Sequence, residues 1–154
     1  MNRPLFVSLD GPKGTGKTTL LEAVTAVLRA DNKKVIRLCE RKSDPDRGAT
    51  MALVNELARN HSRDLEWTVC QRFADSRSWI SRHVLTEQPP GSIILIDRWY
   101  PSDAAFRQTV PFAEILQLNI DVMCGCLTCM LASSPRRIFH GPGLRHDPED
   151  WAVR

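Results

Sequence analysis

The stretch Gly11-Pro12-Lys13-Gly14-Thr15-Gly16-Lys17-Thr18 constrains this chain more than any other part of it. Before it lies a short apolar run, Leu5 to Leu9, with strand character. After it Leu20, Leu21, Val24, Val27 and Leu28 recur at helical spacing. A glycine-rich loop between a strand and a helix is an anion cradle: its backbone N–H groups curl around a phosphate, and the helix N-terminus adds positive potential. The pattern G-x-x-x-x-G-K-[ST] therefore reads as a phosphate-binding loop, with Gly11, Lys13, Gly14, Thr15, Gly16, Lys17, Thr18 and Thr19 as its candidate nucleotide-binding residues. In such a loop the lysine bridges the β- and γ-phosphates and the hydroxyl after it holds Mg²⁺, which makes ATP and Mg²⁺ the expected cofactors and Thr18 a candidate metal ligand.

At 154 residues the chain is long enough for one domain with its own core. Its net charge of +3 is mild, and Lys and Arg alternate with Asp and Glu, so no nucleic-acid-binding surface is called for. No apolar run is long enough to span a membrane and the N-terminus enters a strand directly, from which a soluble, cytoplasmic protein is expected. The odd count of five cysteines suits free thiols in a reducing compartment.

Further along, Val35 to Cys39 reads as a second strand ending at Glu40-Arg41, and a right-handed crossover brings those two residues to the edge where the phosphate loop lies. Lys42 to Gly48 reads as a loop at the mouth of that site. Leu53, Val54, Leu57 and Ala58 suggest a short helix, and Leu65, Val69, Phe73, Ile80 and Val84 a longer one stopped by Pro89-Pro90-Gly91. Ser92 to Asp97 is a nearly continuous apolar run closed by a carboxylate, the pattern of a strand buried on both faces. Asp97 then reaches the nucleotide edge as a second candidate metal ligand. Ala104, Ala105 and Phe106 begin another helical piece, and Phe112 to Leu118 a further one.

Near residue 122 the character changes, which divides the chain into a core over 1–121 and an atypical segment over 122–154. Leu127 to Leu131 is a candidate fourth strand. Cys124, Cys126 and Cys129 have a spacing better suited to buried thiols than to structural zinc.

Arg41, Arg72, Arg77 and Arg98 all fall in elements expected to border the loop, more arginines than a simple ATPase requires. Arg72 and Arg77 have a blander reading as solvated partners of Asp75 or Asp64. Several cations facing a γ-phosphate suggest an anionic acceptor. A phosphate monoester is already largely ionised near neutral pH, so it needs charge compensation rather than a strong base.

Taken together, the phosphate loop with Thr19, Glu40-Arg41, Phe73-Ala74-Asp75-Ser76-Arg77 and Asp97-Arg98-Trp99-Tyr100-Pro101-Ser102-Asp103-Ala104-Ala105-Phe106 resemble thymidylate kinases. The resemblance runs from about residue 4 to residue 119. It implies an α/β P-loop NTPase fold with a short parallel sheet in the order 2-3-1, with the candidate fourth strand beside strand one, flanked by helices. It implies phosphoryl transfer from ATP to dTMP, giving dTDP. Residue by residue, it implies that Lys17, Asp97, Arg98 and Arg41 are catalytic, with Arg98 on the acceptor phosphate and Arg41 at the transferred one. Phe73 would stack on the base, Arg77 would bond its edge, and Glu40, Ser102 and Phe106 would complete the substrate pocket. Two positions depart from the pattern: Lys13 stands where the family usually carries an acidic residue, and Arg107 where it usually carries Gln. The family also continues through a mobile Arg-bearing lid, for which only Arg136, Arg137 and Arg145 are candidates here.

Two other readings stay open. Asp10-Gly11-Pro12 and the rest of the loop also resemble herpesvirus-type thymidine kinases, in which case Glu40 would be the general base for a neutral hydroxyl. Alternatively the chain is a shortened nucleotide-binding protein with little activity, whose exposed strand-one edge favours a homodimer.

Overall fold

The computed structural model describes residues 3–123. The candidate fourth strand, the Cys124, Cys126 and Cys129 cluster and the three lid arginines lie outside them.

Three strands form a parallel sheet: β1 (Leu5–Leu9), β2 (Val35–Leu38) and β3 (Ile93–Asp97), in the order β1-β3-β2. This is the expected 2-3-1 order. The central place of β3 follows from its sequence, because only an uninterrupted apolar run can be covered on both faces. Ile94 and Ile96 point to one side, against Ile80, Leu85, Trp99 and Tyr100. Leu95 points to the other, against Leu21 and Val35 beneath helix α1 (Lys17–Ala30). The register pairs Leu9 with Asp97 and Leu38 with Ile96, so all three strands end at one edge. The phosphate loop, Cys39-Glu40 and Arg98-Trp99 all leave the sheet there.

The helices depart from expectation in extent rather than in kind. Glu40–Ser43 is a single helical turn, α2, which takes in the expected strand end Glu40-Arg41 and the start of the expected Lys42–Gly48 loop, and α3 (Arg47–Arg59) starts inside that loop. Helix α4 (Arg63–Ile80) begins on the Ser62 hydroxyl, which accepts from the Leu65 N–H, and continues into a π-helical turn over Ser81–Leu85 before Pro89. Ala104 to Phe106 end helix α5 (Tyr100–Phe106) instead of beginning it. The reason is Asp10, whose Oδ1 accepts from the N–H groups of Trp99 (2.9 Å) and Ser102 (3.1 Å) and so anchors the start of α5 to the end of β1. Helix α6 (Phe112–Met123) packs against α4 and α5. No helix among the described residues is long and apolar enough to cross a membrane.

Glu66 fastens the α5–α6 connection to α4. It is 2% exposed and accepts from the N–H groups of Gln108 (2.8 Å), Thr109 (2.7 Å) and Val110 (2.9 Å) and from the Thr109 hydroxyl. Burial alone would raise its pKa, but these donors outweigh burial and bring it from 4.5 down to about 2. A carboxylate with a depressed folded-state pKa contributes stability above its unfolded pKa and loses it as pH falls towards the folded value. Urea midpoints should therefore drop by the equivalent of about 3 kcal/mol between pH 5 and pH 2. Glu66→Gln should lose about 1–3 kcal/mol at neutral pH and show a flatter acid limb, because an amide NH₂ faces N–H donors.

Candidate active site

The phosphate loop is built by its glycines. Gly14 (φ 80°) and Gly16 (φ 78°) both lie in the left-handed region that residues with a Cβ rarely adopt. Within the loop, the Thr15 hydroxyl donates to the Pro12 carbonyl (2.9 Å) and Lys17 Nζ folds back onto the same oxygen (2.5 Å). Partial burial, then the nearby Arg98, pull the Lys17 pKa below its ordinary value, while Asp97 and Asp10 oppose the shift. Lys17 thus stands among the charged residues that end β1 and β3. Thr18 Oγ1 is 3.3 Å from Asp97 Oδ2 and donates to it. The other carboxylate oxygen, Asp97 Oδ1, is buried and makes no hydrogen bond.

Arg98 follows at once, with φ 68°. A bulky residue in the left-handed region is strained by roughly 1–3 kcal/mol, and such strain gathers at functional sites. Its N–H still bonds Leu9 O (3.0 Å), so the kink begins where the sheet ladder ends. Its guanidinium lies 5.1 Å above the Phe106 ring.

Opposite this edge is a cavity of about 200 Å³. Of the residues singled out in the sequence, Glu40, Arg41, Phe73, Asp97 and Arg98 line it together. Arg77, Ser102 and Phe106 do not, and each has a structural reason. Arg77 is 1% exposed and held from three sides: Nε lies 2.7 Å from Glu40 Oε1, and Nη1 donates to Asp103 Oδ2 (3.0 Å) and to Asn119 Oδ1 (3.1 Å). Ser102 turns its hydroxyl to Asp10 Oδ1 (2.6 Å). Phe106 supports Arg98 from below. Arg72 pairs with Asp44 (3.1 Å) and donates to the Thr50 hydroxyl (2.9 Å), rather than pairing with Asp75 or Asp64.

The buried charges set the electrostatics of the cavity's inner wall. Burial pushes the Glu40 carboxyl above the usual range, against the attraction of Arg77. For Arg77, burial is outweighed by Glu40 and Asp103, which push its pKa up. Asp103 also pairs with Arg107 one turn later. Both guanidinium groups lie over the Phe73 ring, Arg77 at 5.3 Å and Arg107 at 5.6 Å from its centroid.

Sequence reasoning gave no site role to six residues that line the cavity, Cys39, Asp44, Arg47, Thr50, Met51 and Ser76, nor to the organiser Asp10. Arg47 and Thr50 come from α3, whose early start was hidden in an apparent loop. Ser76 lies within the Phe73–Arg77 motif, where a small polar residue carries no signal of its own. Asp10 follows β1 at once, as Arg98 follows β3, and a carboxylate placed directly after the first apolar run was the available signal.

No protein-family model matches the chain. Among curated proteins, it is 26% identical over 123 residues to a thymidylate kinase of Halalkalibacterium halodurans, covering 77% of this chain and 58% of that protein. Thymidylate kinase of Xanthomonas oryzae pv. oryzae is 27% identical over 117 residues, covering 75% of this chain and 50% of the relative. The chain therefore spans little more than half the length of the relatives it matches. Over about three quarters of its length this chain is similar to thymidylate kinases.

Proposed function

We propose that this chain transfers the γ-phosphoryl group of ATP to a nucleoside monophosphate, with dTMP as acceptor and dTDP as product. One juxtaposition carries the reading: the phosphate loop's Lys17 and Thr18 meet Asp97 and Arg98 at the sheet edge, beside a cavity walled by Phe73.

In this reading the loop N–H groups and Lys17 hold the β- and γ-phosphates. Thr18 and Asp97 fit Mg²⁺, since hard cations take hydroxyl and carboxylate oxygens and Asp97 Oδ1 is buried without another partner. A Mg²⁺ held by these two residues would supply charge neutralisation to the phosphates. Arg98, fixed by its backbone kink, holds the acceptor's phosphate, and Arg41 offsets charge on the group in transit. An acceptor phosphate oxygen bonds to the γ-phosphorus as the bond to the β-phosphate oxygen breaks. The nucleophile is already ionised, so no side chain need take a proton. Nucleotide substrates and the unpaired thiols Cys39 and Cys70 suit the cytosol.

ADP formation from Mg-ATP with dTMP, with thymidine and with no acceptor tests this. The expected result is a rate that depends on dTMP and disappears with EDTA. Dependence on thymidine would instead make Glu40, which lines the cavity, the base of a nucleoside kinase. Measurable ATP binding with no acceptor-dependent rate would leave a nucleotide-binding protein.

A further inference from the structure

Ser76 follows Phe73 by one helical turn on α4, and both line the cavity. It is 1% exposed, yet its Oγ makes no hydrogen bond. Hydroxyls within helices usually bond the carbonyl one turn back, as Thr68 does to Asp64 (2.9 Å) and Thr25 to Leu21 (2.6 Å). A buried hydroxyl that does neither is unfavourable unless something else supplies a partner. Ser81 and Ser92 also have buried, unpartnered hydroxyls, but neither lines the cavity.

The neighbouring Arg77 sharpens the point. Its guanidinium is engaged by Glu40, Asp103 and Asn119, and it does not line the cavity. A flat ring lying against Phe73 thus meets, one turn along the helix, a hydroxyl without a partner rather than a guanidinium fork.

Resting on the reading of this cavity as the acceptor site, we propose that Ser76 reads the edge of the acceptor base, its hydroxyl bonding a polar edge group of a pyrimidine held on Phe73. A hydroxyl both donates and accepts, so it satisfies a ring carbonyl or an exocyclic amine. Discrimination between the two is accordingly weaker than with a guanidinium, which only donates.

Equilibrium binding of dTMP and of 2-deoxyribose 5-phosphate, which has no base, to wild type and to Ser76→Ala decides the matter, with ATP affinity and unfolding midpoint measured alongside. The expected result is about a tenfold loss of dTMP affinity in the variant, the size of one hydrogen bond to a buried group. 2-Deoxyribose 5-phosphate should bind both proteins alike, with ATP affinity and midpoint kept. Equal dTMP affinity in the two proteins would overturn the role of Ser76 and leave the acceptor site standing. An equal loss with 2-deoxyribose 5-phosphate would move the contact off the base and overturn it too, and a fall in midpoint and ATP affinity would make the effect one of packing. Wild type that binds ATP but no dTMP would remove the acceptor site itself, and this inference with it.

Discussion

Lys17→Ala is expected to keep the fold and lose at least about a hundredfold in ADP formation. Removing one preorganised donor aimed at developing charge typically costs 10²–10³ in rate, about 2.7–4 kcal/mol. Lys17 is partly exposed, and its side chain bonds only the Pro12 carbonyl within the loop. Its removal should therefore move stability by less than about 0.5 kcal/mol, as for an ordinary surface substitution. The Asp97 and Asp10 carboxylates would lose a nearby cation, so ATP affinity should fall as well. Parallel assays of turnover, ATP affinity and urea midpoint separate these effects. A variant with wild-type turnover would remove the loop from the chemistry.

Arg77→Met is expected to damage the fold itself, by about 3–5 kcal/mol. Taking one partner from a buried ionic cluster leaves the others desolvated and uncompensated. Here those partners are Glu40 and Asp103, and Arg107 can offset only Asp103, its neighbour on the next turn. Met also loses the cation over Phe73 and Trp99. The deficit should shrink on acidification. Burial already pushes the Glu40 pKa up, and without Arg77 it rises further; a carboxyl with a raised folded-state pKa contributes most below its unfolded pKa and loses that contribution as pH climbs. Urea midpoints of wild type and variant at pH 5 and pH 8 should therefore lie closer together at pH 5. A gap that is constant across that range would point to lost packing rather than to an exposed charge imbalance.

These two residues mark how far the sequence is legible. The position of Lys17 is readable because it depends on local spacing: a strand, a glycine loop and a helix fix its surroundings within a few residues. Asp97 is readable for a similar reason, since an unbroken apolar run ending in a carboxylate has few other places in an α/β sheet. Arg77 is different. Its motif neighbours identify it, but the destination of its side chain depends on Asp103 from α5, Asn119 from α6 and Glu40 from α2, none of which helical spacing brings together. Ser102 was likewise drawn away by Asp10, through a contact that exists only once α5 starts beside β1. Helix limits were misread at α3 and α5 because polar and Pro-containing first turns carry little apolar periodicity. Ser76 is the converse case: a small polar residue in a helix is unremarkable in sequence, and only its missing hydrogen bond gives it meaning.

The most direct measurement follows the γ-phosphoryl group itself. The 154-residue chain is mixed with Mg-ATP labelled at the γ-phosphate and with dTMP, and the labelled products are separated, with Lys17→Ala as the blank. The account predicts label in dTDP, in step with ADP. Label released as inorganic phosphate at a rate indifferent to dTMP, or retained in ATP by protein that binds both nucleotides, would contradict it.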